Sequence, residues 1–125
     1  MTLRVSATYL TATLQDARAR TLELVDGLDQ EQLMGPKIPG VNPLRWEIGH
    51  IAYFYEFFIL RQLYGHDSIL GLKADELYDS IAVAHDTRWD LPLLSMAETL
   101  TDMRDVLEQL CEHLISNNED GLASE

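Results

Sequence analysis

The chain has 125 residues, enough for one compact domain with one core. Its 21 acidic residues outweigh 9 basic ones, for a formal net charge of −12. That excludes the basic footprint that nucleic acid or an anionic membrane surface requires. Cys111 is the only cysteine, so no internal disulfide can form, and no run of 18 apolar residues offers a membrane span. No signal-peptide core stands near the start, and the expected location is the cytoplasm.

The first predicted helix covers about Leu3 to Leu28. Leu10, Leu14, Ala17, Thr21, Leu24 and Leu28 recur in alternating steps of four and three, the spacing of one helical face. Asp29 with Gln32 reads as a capping box that opens a short turn. The stretch "GPKIPG" then forbids helix, because proline lacks the amide and clashes with the preceding turn. The second predicted helix has Asn42 as N-cap, Pro43 in the first turn and Gly65 as its stop. One of its faces carries Trp46, His50, Tyr53, Phe57, Leu60 and Tyr64. Another carries Ile48, Ile51, Tyr55 and Phe58. Two apolar faces place this helix at the centre of the fold.

Residues 67–92 form a long connection with room for one or two helical turns, and a connection this long is seldom idle. The third predicted helix starts at Ser95, where Ser95 and Glu98 make a second capping box. Its seam is Met96, Leu100, Met103, Leu107, Leu110 and Leu114. No segment reads as a strand. The expected fold is all-α, a helical bundle with three long helices and a long connection between the second and third. The expected domain spans residues 1–116, and residues 117–125 read as a flexible acidic tail.

Few residues offer chemistry. The histidines are His50, His66, His85 and His113, and no two lie four apart on one helix face. A lone histidine in an apolar helix is either a core imidazole satisfied by one hydrogen bond or a single metal ligand. The pattern leaves both open for His50. Glu47 lies three residues before it and could share its face. Arg45, Glu47, Glu56 and Arg61 fit ordinary helical ion pairs. Cys111 has no histidine at an activating spacing and reads as a packed side chain. There is no glycine-rich phosphate loop, and no Ser-His-Asp arrangement can be argued.

Two stretches are specific. The run Pro43-x-x-Trp46-Glu47-x-x-His50-x-x-Tyr53-Phe54-x-Glu56 resembles the N-terminal, DinB-like domain of the ergothioneine synthase type of non-haem iron enzyme. The segment "ELYDSIAVAHDTRWDLP", Glu76 to Pro92, resembles that family's connection between its second and third helices. Trp-Glu in place of Trp-His is closest to the branch that includes selenoneine synthases. The resemblance extends from about Leu3 to Leu114 and implies a DinB-like antiparallel bundle.

In that family, three histidines of the DinB-like domain hold one Fe(II). The first lies at the position of His50, and the other two belong to an H-x-x-x-H-x-E motif on a fourth helix. A C-terminal domain adds the substrate pocket, and the enzyme joins a sulfur or selenium donor to trimethylhistidine with O2. The present sequence has no H-x-x-x-H-x-E, and His113 matches no family ligand. The resemblance therefore implies a stand-alone or truncated module, not catalytic alone, with His50 as a remnant metal ligand and no catalytic residue of its own. Fe(II) or another divalent metal would bind only where a partner completes the site. The expected partner is a second copy in a dimer, or another chain that covers the groove between the second and third helices. The alternative is a metal-binding subunit of a split iron enzyme that forms C–S or C–Se bonds. A third reading is a plain interaction domain, in which Asp79, His85, Asp86, Arg88 and Trp89 brace the fold.

Overall fold

A computed structural model of the protein describes residues 5–116, and the regular structure among them is entirely helical. Helix α1 runs Ala7–Val25, and its first turn is capped by the Ser6 hydroxyl, which accepts from the Tyr9 amide at 3.1 Å. Ala7, Arg18 and Val25 are buried, with Leu14 half-buried between them. Steps of seven, four and seven hold one face of a 3.6-residue helix. Leu24 falls off that stripe and is 78% exposed, so the seam read from sequence drifts off the buried face at its end. Helix α2, Gln30–Met34, has the predicted capping box. The Gln32 amide donates to Asp29 Oδ1 at 2.8 Å, and the Asp29 amide donates to Gln32 Oε1 at 2.9 Å.

Helix α3 runs Leu44–Tyr55 and continues as a π-helix over Glu56–Leu63. Pro43, not Asn42, is the capping residue, and it brings no side-chain bond. The Tyr64 amide reaches back five residues to the Ile59 carbonyl at 3.0 Å, so the helix closes in its wider form. Gly65, at φ +67, ends it as expected. The π segment puts both Glu56 and Leu60 inward at 0% exposure, whereas Phe58, assigned to an apolar face, is 45% exposed.

The long connection contains helix α4, Leu72–Tyr78, and a 3₁₀ turn, His85–Thr87. Helix α5, Met96–Ser116, opens on the predicted capping box, with the Glu98 amide donating to Ser95 Oγ at 3.1 Å. Its buried line is Thr99, Met103, Val106 and Leu110. Leu100, part of the predicted seam, lies at the surface.

The described residues fall into two compact units, 5–26 with 107–116, and 27–106. In the first, burial pushes the Cys111 thiol above its usual range, against the opposing effects of Thr11 and Arg18. Such a thiol is a poor nucleophile. In the second, Trp46 and Tyr53 of α3 pack with Ala74, Leu77 and Tyr78 of α4, and Phe57, Leu70, Leu91 and Leu93 close around them. The expected tail, residues 117–125, lies outside the described residues.

Candidate metal centre

Helix α3 places Trp46, His50 and Tyr53 one turn apart, so their rings line one side of it. The Trp46 and His50 rings lie 4.7 Å apart and 10° from parallel. Phe54 meets His50 edge-on at 6.2 Å. His50 is half-buried, and its Nδ1 lies 2.7 Å from the Tyr78 carbonyl oxygen. A carbonyl only accepts, so Nδ1 carries a proton, and in the neutral imidazole Nε2 keeps its lone pair. Among the described residues Nε2 has no hydrogen-bond partner. Backbone carbonyls orient metal-ligating imidazoles in this way.

The other acids and histidines go elsewhere. Glu47 accepts from the Asn42 amide at 2.5 Å. His66 bonds through Nδ1 to the Asp67 carbonyl at 2.7 Å, and His85 through Nε2 to the Val41 carbonyl at 2.6 Å. Among the described residues no three of His, Cys, Asp or Glu converge as a metal site. The described part thus offers a metal one imidazole with a fixed tautomer and does not hold a full ligand set.

The stack is braced from the 67–92 connection. Trp46 Nε1 donates to the Leu77 carbonyl at 2.7 Å, and the Arg88 guanidinium lies 4.0 Å over the Trp46 ring. Arg88 is 7% exposed. It donates to the Val83 carbonyl at 2.7 and 3.2 Å, to the Ser80 carbonyl at 3.0 Å and to Asn42 Oδ1 at 2.9 Å. Asp79 Oδ1 accepts from the Ile81 and Ala82 amides, and Trp89 Nε1 donates to the Gly35 carbonyl. Arg88, Asp79 and Trp89 thus make bracing contacts of the kind expected of this connection. Asp86 is exposed.

Sequence reasoning missed two features. Glu56 does pair with Arg61, as the helical spacing suggested, but its carboxylate is fully buried and has a second role. Its Oε2 accepts from the Ile69 and Leu70 amides, each at 2.6 Å, and holds that turn against the π segment. Arg61 Nε lies 3.2 Å from Glu56 Oε1 without hydrogen-bond alignment, and the same guanidinium bonds Asp75 at 2.7 Å. The signal available was an acid set inside an otherwise apolar run. The second feature is a cavity of about 250 Å³, with Gly49, Ala52, Ala74, Tyr78, Thr99 and Asp102 among its walls. Burial, followed by Asp105, Glu98 and Glu56, pushes the Asp102 carboxyl above its usual range. Burial likewise raises the Tyr78 hydroxyl. That hydroxyl makes no well-formed hydrogen bond, although Thr99 offsets a little of the rise. His50 is not among the walls.

The DinB superfamily model matches residues 13–125. The hercynine oxygenase of Mycobacterium tuberculosis is 34% identical over 117 residues, which are 93% of this chain and 27% of that protein. The hercynine oxygenase of Mycolicibacterium thermoresistibile is 38% identical over 89 residues, 68% of this chain and 19% of that protein. That of Mycolicibacterium smegmatis is 37% identical over 81 residues, 62% and 18% of the two lengths. The chain spans about a quarter or less of the length of these relatives. With an all-helical fold and a match over most of its length, the chain belongs to the DinB superfamily.

Proposed function

We propose that the chain is the helical module of an oxygenase of the hercynine oxygenase type, not catalytic alone, in which His50 presents one imidazole to a non-haem iron. The observation that carries this reading is the His50 geometry, with Nδ1–H committed to the Tyr78 carbonyl and Nε2 unpartnered among the described residues. Iron in such a site supplies dioxygen activation for oxidative C–S or C–Se bond formation. The chain's own part is to hold one nitrogen in place. The Trp46 stack limits ring rotation, the Tyr78 carbonyl fixes the tautomer, and Arg88 with the Leu77 carbonyl holds Trp46. Two further ligands come from outside the described residues, on this chain or on another. One imidazole alone binds iron weakly and with poor selectivity.

The module is also oligomeric in this reading. Phe54, which meets His50 edge-on, and Phe58 are exposed by 47% and 45%, and their tilted rings lie 4.7 Å apart. Paired aromatics left in water favour a covering partner, here a second copy related by a two-fold axis.

One sample tests both parts. Purified protein is loaded with Fe(II) under anaerobic conditions, and metal per chain is compared with His50→Ala while light scattering reads the mass. The expected loss of metal affinity in the variant is about tenfold or more. Equal metal in both proteins removes His50 from the site. A monomer at tens of micromolar removes the oligomer.

A further inference from the structure

Helix α4 turns extended at its C-cap, Asp79, and the carbonyls of its last turn have no intrahelical partner. Two of them are taken by rings from α3. The Leu77 carbonyl accepts from Trp46 Nε1 and the Tyr78 carbonyl from His50 Nδ1, each at 2.7 Å. The end of α4 and the orientation of the imidazole are therefore one arrangement. It depends on how closely Tyr78 lies against α3.

Gly49 decides that approach. A Cβ on residue 49 would fall closer than 3.0 Å to Cε1, Cζ and Oη of Tyr78. Tyr78 is itself 3% exposed. Glycine is a poor helix former, yet it sits in the middle of α3, one residue before His50. The local helix gains nothing from it. The Tyr78 ring gains its place.

We infer that Gly49 and Tyr78 are positioning residues for His50. The bare backbone at 49 leaves room for the Tyr78 ring, so the Tyr78 carbonyl is not pushed away from Nδ1, and Nε2 is left as the nitrogen that faces a metal. The inference rests on the reading of His50 as a ligand for its purpose, but the seating needs no metal. Gly49 and Tyr78 both line the 250 Å³ cavity. The ring of a Gly49→Ala variant therefore has space to move into, and the expected result is displacement rather than collapse.

The test is long-range ¹H–¹⁵N NMR of the His50 ring in the metal-free full chain, at about pH 8, where a histidine of ordinary pKa is neutral. The signals are assigned by their loss in His50→Gln. Wild type is expected to show the proton on Nδ1 alone. Gly49→Ala is expected to lose that single-tautomer signature. Tyr78→Leu keeps it, because the carbonyl stays, and Gly49→Ala/Tyr78→Leu recovers it, because the shorter side chain clears the new methyl. A wild-type ring protonated on Nε2, or a folded Gly49→Ala with an unchanged tautomer, overturns the inference. Should Gly49→Ala not fold, the double variant decides. Folding equal to Tyr78→Leu with the proton on Nδ1 supports the seat, and worse folding or the other tautomer overturns it. Co(II) titration of the same samples separates the two readings. Affinity about tenfold weaker in Gly49→Ala and restored in the double variant supports both. No Co(II) bound by wild type defeats the ligand reading, while the tautomer still judges the seat.

Discussion

Arg88 makes the densest set of polar contacts near the candidate site. Four bonds to two carbonyls and one amide oxygen, and the face of Trp46, use a planar fork that lysine cannot copy. Arg88→Lys should keep the charge, leave at least one buried carbonyl unsatisfied, and cost on the order of 3 kcal/mol in urea unfolding. An effect below about 0.5 kcal/mol, the usual range for surface substitutions, would show that the brace is dispensable. At this scale the sequence marked residues that the fold brings together and mistook some of their partners. Trp46, His50 and Arg88 stand in the two recognisable motifs. Asn42, read as an N-cap, instead joins Glu47 to Arg88. A side chain's partner across the fold is not written in its neighbours.

Among the elements, the π continuation of α3 is the one that periodicity did not reveal, because its apolar spacing is that of an ordinary helix. It turns Glu56 inward, where the carboxylate serves the amides of Ile69 and Leu70. Glu56→Gln keeps one acceptor oxygen and places an amide donor among other donors. The expected cost is about 2 kcal/mol, with faster hydrogen exchange at the Ile69 and Leu70 amides. Unchanged exchange at both would argue against the clamp. Caps were far more legible than seams. The boxes at Asp29/Gln32 and Ser95/Glu98 close within three residues, so local sequence is sufficient. Seams at Leu24 and Leu100 failed, since which part of an apolar stripe is covered depends on what packs there.

For the molecule as a whole, an acidic surface and a carboxyl in an apolar cavity have a pH consequence. Asp102 has its pKa raised in the folded state, by burial first and then by Asp105, Glu98 and Glu56. The folded protein therefore holds this proton more tightly than the unfolded chain does. The resulting stability is fully present below the unfolded value, about 3.9, and is lost as pH rises through the folded value. Asp102→Asn should be the more stable protein at neutral pH, by no more than about 1 kcal/mol at this partly exposed site. The gap should close in acid. Urea midpoints of both proteins at neutral pH and near pH 3.5 check this, and a gap that widens in acid would contradict the assigned direction.

By itself, the sequence determined the all-α class, the three long helices, the capping boxes at Asp29/Gln32 and Ser95/Glu98 and the long connection. It also determined the two motifs that mark a DinB-superfamily chain. These follow from residues within a turn or two of each other, or from short ordered strings. Only the tertiary structure decided that His50 holds its proton on Nδ1, that Glu56 is a buried clamp and that Arg88 anchors Asn42. Those bonds join residues 28, 13 and 46 positions apart. Periodicity carries no information over such distances. It also required the packed fold to show why position 49 is glycine, because the atoms that exclude a side chain there belong to α4.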